Sequence, residues 1–222
     1  MNKPCRVLLI DDHPLMRRGL AELLAANGDY QVIGMASEGQ TGLQLARELQ
    51  PDMILLDWHM PGLGGLATLG ALKTELADTT VLVLTASDAR DDLLAALHAG
   101  ADGYLLKDRE PEVLLDTLQA CRTGRAPLDP MLLGLLASGL RDAEPLPAAT
   151  AVGLTDRELQ TLVLIAEGMS NKLIARQLGI SDGTVKIHVK HLLGKLGLHS
   201  RLEMAAWVYR HGLPGVVRGE PA

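Results

Sequence analysis

Along the first half of the chain, short apolar runs alternate with longer stretches in which apolar residues recur every three or four positions. The runs at 6–10, 31–36, 53–56, 80–84 and 103–106 have strand length, and the stretches at 14–27, 39–50, 66–76, 89–99 and 111–122 have helical spacing. Alternation of this kind predicts an α/β fold, a doubly wound five-stranded parallel sheet covered by helices. Gly28 and Gly100 stand where a left-handed residue closes a helix, and Pro111 suits a first helical turn.

The pattern stops near residue 122, which bounds a first domain at 1–122. Residues 123–152 hold Pro127, Pro130, Pro145 and Pro147, the acidic Asp142 and Glu144, and the run Ala148-Ala149-Thr150-Ala151. This composition reads as a linker, and Leu132, Leu133, Leu135, Leu136 and Leu140 predict one short helix in it at about 131–140. Residues 153–222 read as a second, all-α domain of four short helices. Thr155 with Glu158 and Ser200 with Glu203 have capping-box spacing, and Ser170 and Ser181 are further caps. Leu178-Gly179-Ile180-Ser181 between two of these helices predicts a helix-turn-helix.

Composition narrows the function. At 47% hydrophobic and 22% charged, the chain can bury cores without staples. Its apolar runs are far shorter than the roughly 20 residues of a membrane span, and Val7-Leu8-Leu9-Ile10 is too short for the apolar region of a secretory signal. A cytoplasmic protein is expected. Cys5 and Cys121 form no Cys-x-x-Cys pair, which points to ordinary thiols rather than a disulfide or zinc framework. The net charge of −6 is unevenly divided: residues 1–152 carry 12 Lys/Arg and 21 Asp/Glu (−9), whereas residues 153–222 carry 9 and 6 (+3). Any polyanion partner is assigned to the second domain.

The strand pattern puts Asp11 and Asp12 just after the first strand, Asp57 after the third, Thr85 after the fourth and Lys107 after the fifth. In the flavodoxin-like order 2-1-3-4-5 these are carboxyl ends, outside which ligands bind at the switch point. One Asp after a strand is ordinarily a turn residue, and one Lys a surface charge. Four stretches converging on a single rim argue for a site. Gathered carboxylates repel, and a small hard cation, best read as Mg2+, offsets that cost. Asp57 could then attack a phosphoryl donor, with Lys107 and Thr85 on the phosphoryl oxygens. His13 and His59 are read as polar loop residues.

The strings Leu8-Leu9-Ile10-Asp11-Asp12-His13-Pro14, Leu55-Leu56-Asp57-Trp58-His59-Met60-Pro61-Gly62, Leu84-Thr85-Ala86 and Gly100-Ala101-Asp102-Gly103-Tyr104-Leu105-Leu106-Lys107-Asp108 resemble the receiver domain of bacterial response regulators. The resemblance implies that Asp57 accepts a phosphoryl group from a sensor histidine kinase. It further implies that Asp12, Asp57 and the backbone carbonyl of His59 ligate Mg2+, that Asp11 acts through water, and that Thr85 and Tyr104 form a switch pair.

In the second domain, the segment 184–196 sorts on a helical wheel at about 100° per residue. Val185, Val189, Leu192, Leu193 and Leu196 share one side, and Lys186, Ile187, Lys190, His191 and Gly194 the other. Two lysines one turn apart ordinarily mark a solvated face, but Ile187 between them suits a thymine methyl in a major groove. Lys195, nearer the helix end, is expected at most to touch phosphate. The strings Leu154-Thr155-Asp156-Arg157-Glu158-Leu159, Ala166-Glu167-Gly168-Met169-Ser170-Asn171-Lys172 and Thr184-Val185-Lys186-Ile187-His188-Val189 are similar to the LuxR-type helix-turn-helix. Receiver and output together resemble the NarL/FixJ class of response regulators, and the wording is similar to its nitrate/nitrite-responsive members. The likeness implies a transcription regulator, not an enzyme, that binds double-stranded DNA as a homodimer on paired half-sites. Its last helix, about 201–211, would supply the dimer surface, and RNA polymerase is a further expected partner.

Competing classes fit less well. A phosphohydrolase would place a second carboxylate two residues after its nucleophile, and Asp57-Trp58-His59 has none. A small-molecule sensor is ordinarily aromatic-lined, whereas the first half has no Phe and only Tyr30, Trp58 and Tyr104. A DNA-binding regulator whose receiver is structural and works without phosphorylation is the remaining alternative.

Overall fold

The computed structural model describes residues 3–76, 79–87, 89–123, 153–198 and 200–211. The proposed linker helix at 131–140 lies outside them. Two compact units form, Met1–Gln119 and Ala120–Ala222.

The first unit runs β1 (Cys5–Ile10), α1 (Pro14–Asn27), β2 (Tyr30–Ala36), α2 (Gly39–Leu49), β3 (Met53–Asp57), α3 (Gly64–Glu75), β4 (Thr80–Thr85), α4 (Arg90–His98), β5 (Gly103–Leu106), with α5 (Pro111–Thr123) crossing the unit boundary. The strands form a five-stranded parallel sheet of order β2-β1-β3-β4-β5, the doubly wound arrangement expected from the alternation. Val7 to Ile10, Ile54 to Leu56 and Val81 to Leu84 are buried throughout, which explains why their sequences are unbroken apolar runs rather than alternating ones. Gly28, at φ 75, ends α1 in the left-handed region that a residue with a Cβ resists.

Four strands extend one residue further than the apolar runs suggest, β1 and β2 at their starts, Cys5 and Tyr30, and β3 and β4 at their ends. Asp57 is the last residue of β3 and Thr85 the last of β4, because the ladder continues through polar side chains: Asp57 pairs with Leu84, and Thr85 with Leu106. Helix α3 starts at Gly64, two residues before the expected Leu66. Gly65 approaches the preceding loop so closely that a Cβ there would stand 2.5 Å from Trp58 O, and its N–H donates to that same oxygen at 3.1 Å.

The second unit holds α6 (Asp156–Ala166), α7 (Asn171–Leu178), α8 (Asp182–Leu196) and α9 (Arg201–His211). Thr155 and Glu158 form the expected capping box, and Ser170 and Ser181 accept from Leu173 N and Thr184 N at 3.2 and 3.1 Å. Each such cap stabilises its helix by about 1 kcal/mol. Gly179, at φ 67, closes α7, and Ser181 opens α8 two residues later, which is the turn of the helix-turn-helix. Leu162, Ile165, Ile174, Val185, Leu192, Leu196, Met204 and Trp207 fill the core between the helices. No helix among the described residues is long and apolar enough to cross a membrane.

Candidate functional site

Parallel register assembles the acidic rim. Ile10 lies opposite Leu56, so Asp11 leaves β1 beside Asp57, and Thr85 opposite Leu106 sets Lys107 against the end of β4. Backbone bonds extend this edge into the loops: Asp11 N to Ala36 O at 3.1 Å, Trp58 N to Leu84 O at 2.9 Å and Lys107 N to Thr85 O at 2.7 Å. Asp11 and Asp57 are buried, and Lys107 Nζ stands 2.8 Å from an oxygen of each. One ammonium thus faces two carboxylates that would otherwise repel each other.

Burial pushes the Asp57 carboxyl above the usual carboxylate range and Asp11 adds to the shift, while Lys107 and the His59 N–H pull the other way. Burial pulls Lys107 down, but Asp11 and Asp57 outweigh it, and its pKa rises. Asp57 Oδ1 accepts from His59 N at 3.2 Å, and Asp11 Oδ1 from His13 N at 2.8 Å, so each loop holds its own carboxylate by the backbone two residues on.

The inward oxygens are buried and ion-paired: Asp11 Oδ2 and Asp57 Oδ2 share Lys107 Nζ, and Asp12 Oδ1 faces His13 Nδ1. Ligand atoms of Asp11, Asp12, His13 and Asp57 all lie within 4.8 Å of one another. Hard oxygen donors this close fit a small divalent cation, and such a cation would favour the ionised form of Asp57 against the burial that disfavours it. His13, read from the sequence as a polar loop residue, points Nδ1 into this group, 2.8 Å from Asp12 Oδ1.

Thr85 is fully buried, and its hydroxyl oxygen accepts from Ser87 N at 3.0 Å and meets His59 Nδ1 at 3.3 Å. Tyr104 is buried as well, with its hydroxyl donating to Ser87 O at 3.3 Å. Both members of the expected switch pair therefore converge on the β4–α4 loop at Ser87. The sequence reading gave His59 a metal-facing backbone carbonyl and a polar loop side chain, and did not foresee the contacts of its ring. Its ring also reaches Asp92 on α4 at 3.3 Å, a neighbour no local spacing announces.

On α8 the wheel of the sequence is realised. Val185, Leu192 and Leu196 are buried, with Val189 and Leu193 packed against them, while Lys186, Ile187, Lys190 and His191 are exposed, Ile187 by 55%. Lys186 lies 3.9 Å from Asp182 one turn earlier. Lys195 is paired within the domain: its Nζ is 2.7 Å from Glu158 Oε2 and 3.3 Å from Gly153 O. Lys195 and the Thr155 backbone N–H hold the Glu158 carboxyl down at about 2. On α9, Met204, Ala205, Trp207 and Val208 belong to the domain core.

An acidic rim on a 2-1-3-4-5 sheet and a separate helix-turn-helix domain define a response regulator with a DNA-binding output. The family "Response regulator receiver domain" matches residues 7–119 and "Bacterial regulatory proteins, luxR family" matches residues 152–208. The chain belongs to the NarL/FixJ class of two-component transcription regulators. It is similar to the nitrate/nitrite response regulator protein NarL of Escherichia coli K12, at 45% identity over 94% of this chain and 96% of that protein. The nitrate/nitrite response regulator protein NarP of the same organism is 43% identical over 90% of this chain and 92% of its own length. Among solved structures, the receiver domain of a NarL response regulator from Mycobacterium tuberculosis is 35% identical with a TM-score of 0.54, covering 56% of this chain and all, 100%, of that one.

Proposed function

We propose that Asp57 is the phosphoryl acceptor of this regulator and that its modification controls DNA binding by α8. The observation that carries this is Lys107 Nζ at 2.8 Å from both Asp11 and Asp57, with the Thr85 hydroxyl on the neighbouring strand. An oxygen of the Asp57 carboxylate forms the new O–P bond as the P–N bond to a phosphohistidine of the sensor kinase breaks, and the departing imidazole keeps the electron pair and takes a proton. Lys107 and the Thr85 hydroxyl stand ready to meet the charge left on the phosphoryl oxygens. Asp11, Asp12, Asp57 and the backbone carbonyl of His59 would hold Mg2+, with Asp11 acting through water; the cation supplies neutralisation of the gathered negative charge. Tyr104 and Thr85 respond as the switch pair.

In the output domain, Lys186, Ile187, Lys190 and His191 read a major groove, two copies bind paired half-sites, and RNA polymerase is the onward partner. The full-length likeness to NarL and NarP supports nitrate or nitrite as the signal and the cytoplasm as the compartment. The test is incubation with acetyl phosphate and Mg2+. A covalent adduct is expected in the parent chain and none in Asp57→Ala, and DNA affinity should rise with labelling. Equal DNA affinity with and without the adduct would favour the phosphorylation-independent reading.

A further inference from the structure

The imidazole of His59 touches two elements at once. Nε2 lies 3.3 Å from Asp92 Oδ2 in the first turn of α4, and Nδ1 lies 3.3 Å from Thr85 Oγ1. A carboxylate can only accept, so Asp92 selects the tautomer with the proton on Nε2 and leaves the Nδ1 lone pair as an acceptor. Thr85 Oγ1 already accepts from Ser87 N at 3.0 Å, which leaves its own proton free to donate to His59. A hydrogen bond from Thr85 to His59 and a 3.3 Å contact from His59 to Asp92 therefore run in series. Ala89 at the N-cap of α4 offers no side-chain acceptor, and the start of the helix is otherwise held by Ser87, whose Oγ accepts from Ala89 N at 3.1 Å.

We propose that His59 is a positioning residue that latches the rim to α4 through Asp92, and that drawing the Thr85 hydroxyl toward a phosphoryl group on Asp57 opens the latch. The release half of this rests on the phosphorylation reading above; the resting latch does not. Thr85 has one hydroxyl proton, so bonding to a phosphoryl oxygen takes it from His59. The ring, 56% exposed, is then pinned at one end only, and holding Asp92 costs it rotational freedom that Thr85 had already restricted. A local change at the rim thereby becomes a change in the anchoring of a helix.

Asp92→Ala removes the latch without touching the rim, Asp92→Asn keeps an acceptor for Nε2–H, and Asp91→Ala removes an equal first-turn charge that His59 does not contact. In the full-length, unphosphorylated chain, nitrogen NMR of the His59 ring should report the Nε2–H tautomer in the parent, in Asp91→Ala and in Asp92→Asn, and a mixture in Asp92→Ala. Amide exchange over α4 should rise about 1.5- to 5-fold in Asp92→Ala relative to Asp91→Ala, the range expected for an exposed pair, and return in Asp92→Asn. Matching tautomers and exchange in Asp92→Ala and Asp91→Ala would overturn the latch. Treatment with acetyl phosphate should bring parental α4 exchange to the Asp92→Ala level. An adduct on Asp57 with α4 exchange unchanged would overturn the release step. Absence of any adduct would instead count against the phosphorylation reading and leave the resting-state comparison to decide the latch.

Discussion

Asp57 is held in tension between burial, which favours its protonated form, and Lys107 at 2.8 Å, which favours the charged one. Replacing it with Asn removes the nucleophilic oxygen but keeps the shape, so Asp57→Asn should fold normally and lose labelling by acetyl phosphate entirely; residual labelling at the parental level would assign the chemistry elsewhere. Lys190 and Lys195 separate in the same manner. Lys190 is exposed, and its loss to Ala should relax sequence preference by roughly 1–3 kcal/mol in a selection of bound DNA fragments. Lys195 is paired with Glu158, so Lys195→Ala should leave preference unchanged and lower the melting temperature of the second domain, by about 0.2–1 kcal/mol in stability because the lysine is solvent-accessible. The same pair sets an acid limit. Glu158 titrates near 2 in the folded chain against an ordinary 4.5, so its contribution is complete above pH 4.5 and fades as the pH falls toward 2. Melting curves across that window should fall more steeply for the parent than for Lys195→Met, and parallel curves would contradict the assignment.

Among the elements, α8 carries an intrinsic weakness. Gly194 lies inside it, exposed, with open space where a Cβ would go. Gly194→Ala should raise stability by up to about 1 kcal/mol in denaturant titrations, since it restricts the unfolded chain and meets no neighbour in the folded one. A loss of stability would show that space at this position is needed. The helices themselves were legible because their signals are local: Thr155 with Glu158, Ser170, Ser181 and Gly179 announce ends within one turn of where they act. The ends of β3 and β4 were not, because Asp57 and Thr85 are polar and only pairing with Leu84 and Leu106 makes them strand.

For the molecule as a whole, a single α8 offers one short reading surface, so specific binding should require two copies on paired half-sites. Sedimentation on DNA should show two chains per paired site. Full affinity for an isolated half-site, at one chain per DNA, would refute this.

The order of apolar and polar positions was enough, by itself, to determine the alternating strands and helices, the helical output domain and the placement of Asp11, Asp12, Asp57, Thr85 and Lys107 at the carboxyl ends of strands, while the order β2-β1-β3-β4-β5 is shown by the sheet itself. The former follow from periodicity, which local sequence encodes. Tertiary structure alone decided the partners of side chains far apart in sequence. Lys195 closing on Glu158, Tyr104 turning inward to Ser87, and His59 bridging Thr85 and Asp92 depend on which surfaces the packed elements bring together. A lysine on a helix or a histidine in a loop carries no sign of its partner, because hydrogen bonds of this kind are set by distances that exist only once the core has closed.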